Sequence, residues 1–450
     1  MATRESASSE GDEQQNLPKR GAPRGQRRLS QVPPMPMTIW QDWALLEDQI
    51  GPLGFALWRA ASDILLWNAA DPVDRDRLFS TGIGPDAEAL RFAAQDAPAV
   101  ADAVQNLWTV YQPTETVDAK FISNACYQIA RWAEEQNLLG TAAHFAEIAA
   151  RLQPASAPRA YTAGRLSRRN AQMHRAAIWY NRSRRLARLN GSNIDRANAH
   201  LGLGNVELEL GRLAEAEKHF VKAGRAAMRN GRKSLAGAAH HALVPPLYEE
   251  GKVDAALENL RLASEYYRAD HPLFPRLAYD AGFLMLREGY VSSALIMFEA
   301  VLPWLESIHP IEILARSALA RCAAAVRDHI RYHRMSEAVL LVVDSNQETA
   351  GYALYQLGEG ARSFLNWEGA ERLARRALES ATIRNQYLTI EAANRLLAAI
   401  VARELGDVDR VPSVNDPVEL VTHAVLRKLK KRPAPTPGGG AVPPEDYPTD

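Results

Sequence analysis

The sequence predicts an all-α protein, a solenoid of stacked antiparallel helix pairs. Three observations predict it. A string of small residues, a turn residue and a large residue recurs along most of the chain. At 450 residues the chain is long for one compact domain and suits a repeat array. Its composition, 47% hydrophobic and 24% charged, is that of an ordinary soluble folded protein. Lys+Arg and Asp+Glu both number 53, so whole-chain charge excludes a basic nucleic-acid coat and an acidic tail protein. Cys126 and Cys322 are too few for a disulfide scaffold or a zinc site and read as buried thiols. The first residues form no signal-peptide core, and no run reaches the roughly 18 apolar residues of a membrane span. A cytoplasmic, non-membrane protein is expected.

Residues 1–38 are Ser, Gln, Gly, Pro and charge and read as a disordered tail. Its cluster Lys19, Arg20, Arg24, Arg27 and Arg28 is either solvated or a docking segment for an acidic partner. Residues 39–112 read as several helices. Trp40, Trp43, Leu46 and Ile50 share one helical face, Leu53 to Trp67 gives a second helix, and Asp71-Pro72 and Gly84-Pro85 are start signals. Five of the nine tryptophans fall here (Trp40, Trp43, Trp58, Trp67, Trp108), which marks a small core capping the array rather than a ligand cage.

The repeat is expected over 113–410. Gly204, the turn residue Gly211, the anchor Ala216 and Phe220 set its pattern. It returns as Gly282, Gly289, Ala294 and Phe298, as Val244, Gly251, Ala256 and Leu260, and as Gly164, Ala171, Ala176 and Tyr180. Ala130, Asn137, Ala142 and Ala146 give another copy, and Gly358, Ala370 and Ala374 another. A weaker copy centres on Ala338, with His333 at its turn. The anchors Ala142, Ala176, Ala216, Ala256, Ala294, Ala338 and Ala370 are then spaced by 34, 40, 40, 38, 44 and 32. The small residues let helix A approach helix B, the turn residue accepts a left-handed backbone, and the large residue fills the gap one turn on. No such hairpin buries its apolar face alone, so the units must stack. Beyond the array, 411–432 reads as a last amphipathic helix capping the far end, and 433–450 as a Pro/Gly-rich disordered tail.

This pattern resembles the tetratricopeptide repeat (TPR) family, with about seven units over 122–406. Leu203-Gly204, Gly211, Ala216 and Phe220, and Leu357-Gly358 with Ala370, match its signature positions. The usual family period is about 34 residues; several units here run longer. The resemblance implies a right-handed superhelix whose A helices line a concave, ligand-binding wall. Counted from each anchor, the inward positions are Asn124, Tyr127, Arg131, Tyr161, Arg165, Arg168, Asn198, Asn205, His241, Tyr279, Arg327, Tyr355 and Glu359. Tyr, Asn and Arg suit extended peptides, offering aromatic area, amide hydrogen bonds and guanidinium forks. The family's carboxylate-clamp set cannot be placed in this sequence.

Between Ile148 and Ile194 there is no acid, while ten arginines fall there: Arg151, Arg159, Arg165, Arg168, Arg169, Arg175, Arg182, Arg184, Arg185 and Arg188. Either adjacent units neutralise them, or an acidic peptide, a phosphorylated partner or RNA does. Pro245-Pro246 falls inside a predicted helix A and should kink or break it. No nucleotide loop, nucleophile elbow or zinc motif occurs, and His329 and His333 sit among arginines that disfavour a cation. No enzyme, metal or cofactor is expected. The sequence thus points to a protein- or peptide-binding scaffold. Its alternatives are polyanion binding through the Arg-rich unit and a peptide sensor acting through a partner.

Overall fold

The structure, a computed structural model, describes residues 32–37, 51–79, 88, 90, 92, 94, 95, 97–111, 117–305, 309–413 and 415–432. Among them are nineteen α-helices and no strand. The first three are α1 (Pro52–Ala69), α2 (Pro72–Phe79) and α3 (Ala101–Leu107), followed by a 3-10 turn, Trp108–Tyr111. Pro52 and Pro72 open helices where no donor is needed. Leu57, Ile64 and Trp67 of α1 are buried, Arg75 lies over the Trp67 ring at 4.1 Å, and the Tyr111 hydroxyl donates to Asp63 at 2.6 Å. Their core runs without a break into the first two units of the array. Trp40 and Trp43 lie outside the described residues.

Seven helix pairs follow. Their A and B members are α4 (Ala119–Glu135) with α5 (Leu139–Leu152), α6 (Ala157–Arg169) with α7 (Met173–Asn190), and α8 (Asn193–Glu209) with α9 (Leu213–Met228). Next come α10 (Lys233–Glu249) with α11 (Val253–Tyr266), and α12 (Phe274–Arg287) with α13 (Val291–Leu305). The last are α14 (His309–Ala325) with α15 (His329–Leu340), and α16 (Gln347–Ser363) with α17 (Trp367–Ile383). An eighth A-type helix, α18 (Tyr387–Val401), packs on α17. The chain is therefore a TPR-like helical repeat.

One device closes all seven hairpins. Asn137, Ala171, Gly211, Gly251, Gly289, Arg327 and Leu365 have φ between 58° and 86°. The amide after each donates five residues back, as Arg212 does to the Glu207 carbonyl and Asp328 to that of Ala323, both at 2.8 Å. This is the Schellman closure of helix A. Only three of the seven are glycines, so the others hold a left-handed backbone at a cost of about 1–2 kcal/mol each. The anchors Ala142, Ala176, Ala216, Ala256, Ala294 and Ala370 are wholly buried. Gly164, Gly204 and Gly282 of helix A face the large residue rather than the anchor: a Cβ on Gly204 would lie 2.3 Å from the Phe220 ring.

Several expectations need correction. The sixth turn is at Arg327, not His333, so the sixth anchor is Tyr332 and not Ala338. The spacings then even out, with steps of 38 on either side of Tyr332. Gly360 on the next helix makes room for this oversized anchor, since a Cβ there would lie 2.7 Å from the Tyr332 ring. Pro245 and Pro246 do not break α10, which runs through both.

The tail expected to be disordered through residue 38 has an ordered piece at 32–37. Val32 is buried in the N-terminal core, Arg182 donates to the Pro33 carbonyl at 2.7 Å, and Arg151 to that of Pro36 at 2.6 Å. Residues 1–31, with their basic cluster, and 433–450 lie outside the described residues.

The last helix, α19 (Pro417–Leu429), does not cap the far end. The chain turns back from α18 along the array, held by Arg362 on the Leu405 carbonyl at 2.7 Å, by the Arg321–Asp407 pair, and by the Arg410 amide on the Gly289 carbonyl at 2.8 Å. Helix α19 then packs on α11, α12 and α13. It fills the junction where the loop between α11 and α12 separates two consecutive units. Its Lys428 and the following Arg432 cap carbonyls at the end of α11 and in that loop. No helix among the described residues is long and apolar enough to cross a membrane.

Candidate functional site

The A helices enclose a cavity of about 1650 Å³. It crosses them obliquely. In the first three units it is lined by the C-terminal ends of α4, α6 and α8 (Glu134, Arg168, Glu209), and in the fourth by the middle of α10 (His241, Pro245). In the later units it is lined by the N-terminal parts of α12, α14, α16 and α18 (Arg276, Glu312, Glu348, Thr389). The array curls until its first units meet its last. Asn137 donates to the Ser345 carbonyl at 2.8 Å, Arg169 to Glu348 at 2.8 Å, and Arg384 to the Arg169 carbonyl. The Tyr387 ring lies so close to Gly211 that a Cβ there would come within 2.0 Å of it.

The wall is charged and mostly paired. Glu134 accepts from both Arg165 and Arg169. Burial pushes the Glu134 carboxyl up, but the two guanidiniums outweigh it and hold it below the ordinary glutamate value. Arg168 pairs with Glu209, and Glu348 is held low by Arg169 against the opposing effect of its burial. At the other end His241 shares a hydrogen bond of 2.7 Å with Asp280, which Arg276 approaches at 3.4 Å. Arg316 pairs with Glu312 at 2.7 Å. Pro245 and Pro246 have no N–H, so the carbonyls of His241 and Ala242 lack their helical donors beside the cavity.

Of the expected inward residues, Arg165, Arg168, Asn205 and His241 line this cavity. The others do not. Asn124 and Tyr127 are held by Arg159, which donates to Asn124 at 2.7 Å and lies 4.0 Å above the Tyr127 ring. Arg131 pairs with Glu135. Tyr161 packs on Tyr180, Tyr279 is buried against Phe298, and Asn198 is half-buried on α8. Arg327 is a turn residue whose guanidinium binds the Ser363 carbonyl. Tyr355 packs on Arg321, and Glu359 pairs with Arg362 at 2.6 Å. A fixed count from each anchor holds only while the cavity faces the same end of every helix. Glu134, Arg169, Glu209, Arg276, Asp280 and Glu348 were missed for the same reason, and Arg384 and Gln386 because they lie in the turn before α18 rather than on an A helix.

The arginine-rich window meets its neighbours' acids. Besides the pairs above, Arg175 binds Glu147. Arg182 donates to the carbonyls of Pro33 and Pro154, each at 2.7 Å, and Arg151 to that of Pro36. Arg184 bonds Asn181 at 3.1 Å, and Arg188 is exposed. His329, one of the two histidines weighed as a metal pair, stacks on Phe364 at 4.0 Å.

No protein-family model matches the chain, and no curated protein does. Among solved structures, the apo form of RapI is similar over 62% of this chain and 98% of its own, at 10% identity and a TM-score of 0.41. The Rap conjugation gene regulator of the plasmid pLS20, solved with a Phr peptide, is similar over 76% and 98%, at 16% identity and a TM-score of 0.47. A Rap protein complexed with competence and sporulation factor is similar over 80% and 89%, at 13% identity and a TM-score of 0.31. These scores are too low to carry a functional argument.

Proposed function

We propose that this protein is a non-enzymatic, cytoplasmic adaptor that binds an extended peptide, free or part of another protein, in its central cavity. The observation that carries this reading is the cavity itself. At about 1650 Å³ it exceeds the roughly 300–1,000 Å³ of ordinary small-molecule pockets and draws on every unit of the array. Its wall offers what a peptide backbone needs: carbonyls at His241 and Ala242 that the prolines one turn on cannot satisfy, to accept N–H groups, and the Asn205 amide to do both. Near-balanced charge suits a chain of peptide dipoles better than a polyanion. The pairing of the arginines removes most of the charge excess that favoured RNA, and an RNA titration should show the shallow salt dependence of weak electrostatic binding.

A sensor role is favoured by one further observation. The curl closes through a few contacts between distant units, so occupancy of the cavity bears directly on its curvature.

The test is native mass spectrometry of the full chain with a synthetic pool of random octapeptides. Wild-type protein should retain peptide. Ala242→Trp, which fills the cavity, should not, while Glu substituted for the exposed Arg188, outside the cavity, should change nothing. Equal retention by Ala242→Trp, at unchanged helix content, would overturn the proposal.

A further inference from the structure

Residues 32–37, Val-Pro-Pro-Met-Pro-Met, lie against the B helices of the first two units. Pro33, Pro34 and Pro36 have no N–H, fix their own φ at about −65° and push the residues before them to extended backbone. The segment forms neither helix nor strand. It suits a polyproline helix, whose carbonyls have no internal donors and repeat every three residues. The array answers that period. Arg182 of α7 donates to the Pro33 carbonyl at 2.7 Å, and Arg151 of α5 to that of Pro36, three residues on, at 2.6 Å. Arg175 of α7 takes the Met37 carbonyl at 3.1 Å. Val32 and Pro36 are buried, and Met35 packs on the N-terminal core.

For a segment without charge, this groove carries too much of it. Arg151, Arg175 and Arg182 bring three positive charges. Among the described residues one carboxylate answers them, that of Glu147, which binds Arg175 and attracts Arg151. Arg182 has only carbonyls, those of Pro33 and Pro154. Burial, and after it repulsion from Arg175 and Arg182, hold Arg151 below the ordinary arginine value against the pull of Glu147. The groove is two negative charges short of balance, and residues 32–37 supply none.

Val-Pro-Pro occurs three times in the chain. One copy, Val244-Pro245-Pro246, is locked inside α10. The other, Val442-Pro443-Pro444, lies in the tail outside the described residues and is followed at once by Glu445 and Asp446. We propose that the groove is a docking site for the chain's own residues 442–447, which exchange there with 32–37. In the same register the carbonyls of Pro443 and Asp446 fall one polyproline turn apart, to meet Arg182 and Arg151, and the two acids bring the two missing charges. Residues 32–37 keep the apolar contacts of Met35 and Pro36 instead, so each occupant has what the other lacks. None of these groove residues lines the cavity, so the proposal does not depend on peptide binding there.

The test uses the full chain with a fluorophore on the cysteine of Met37→Cys, at an exposed position, since Cys126 and Cys322 are buried. Pro443→Ala, Pro444→Ala, Glu445→Gln and Asp446→Asn silence its own tail, so that only added peptide competes. A synthetic peptide of residues 440–450 should release the segment and lower the anisotropy of the fluorophore. The same peptide with Glu445→Gln and Asp446→Asn should need a roughly tenfold or more higher concentration, the scale of hydrogen bonds to charged groups. Val32→Asp, which changes the segment and not the helices, should show the released signal with no peptide. Ala242→Trp, inside the cavity, should leave the titration unchanged. Unmoved anisotropy in excess peptide, or equal potency of the charged and neutral peptides, would overturn the proposal. A Val32→Asp chain that keeps the bound signal would overturn it too, since the segment would then not be seated in the groove.

Discussion

At the residue scale, small side chains act by what they leave room for, and two glycines should respond oppositely to the same change. Gly204 sits under Phe220, and a Cβ there would come within 2.3 Å of the ring. Gly204→Ala should therefore destabilise by about 1–3 kcal/mol, the cost of overpacking. Gly224 lies inside α9 with its nearest neighbour, the Ala239 Cβ, at an ordinary 3.5 Å. Gly224→Ala should stabilise by about 0.5–1 kcal/mol through helix propensity alone. Urea midpoints followed by circular dichroism check both signs. Gly204 was legible in the sequence because its small size recurs at a fixed distance from a turn. Tyr332 was not, because a Tyr in an alanine's place breaks the pattern that would reveal it. Only the compensating Gly360, on the next unit, explains it.

A histidine pair makes a second residue-scale prediction. The Nδ1 atoms of His200 and His219 lie 3.0 Å apart, so one donates and the other accepts. Burial first, then for His200 the partner ring and nearby cations, bring its pKa down to about 3. Burial and Lys222 bring His219 down to about 4. Both folded values lie below the unfolded value of roughly 6.5, so the unfolded chain binds more protons as pH falls. Stability is complete above that value and declines below it. Melting temperatures between pH 7.5 and 4.5 should fall in wild-type protein and fall less in His219→Asn.

At the element scale, each hairpin is closed by its turn and filled by its anchor, and the sixth unit shows how far that can bend. Tyr332 packs its ring edge-on against Phe364 at 5.1 Å. Tyr332→Ala would restore the consensus side chain yet leave a hole beside Gly360. It should destabilise by about 3 kcal/mol or more, as large-to-small core changes do. A neutral or stabilised variant, read by the urea midpoint, would mean that the sixth unit is anchored elsewhere. The last helix teaches the complementary lesson. Its amphipathic face was legible, but its address was not: α19 is recruited by a defect between the fourth and fifth units, where α11 and α12 scarcely touch. A sequence shows that a face needs covering. It does not show which gap, formed by residues more than a hundred positions away, will cover it.

At the scale of the whole molecule, curvature makes the cavity, and curvature is the property least visible in the sequence. Each unit adds a small rotation, and seven of them bring the ends together. The seam is slight beside the helix packing it joins. Its central contact is the carboxyl of Glu348, which burial would push up but which Arg169 holds below the ordinary glutamate value. Its contribution is therefore present above a pH of about 4.5 and is lost as pH falls through the depressed folded value. Glu348→Ala should release the seam at neutral pH, so that small-angle scattering shows a larger radius of gyration while helix content stays constant. Wild-type protein should expand in the same way only below a pH of about 4.5, as the pH falls through that depressed value, and before its helices melt. Cysteines at Asn137 and Ser345, oxidised to a disulfide, should abolish both expansions. Should Glu348→Ala keep the wild-type radius, the curl would be set by packing between neighbouring units alone. The cavity would then be a rigid mould, and a sensor that works by changing pitch would lose its moving part.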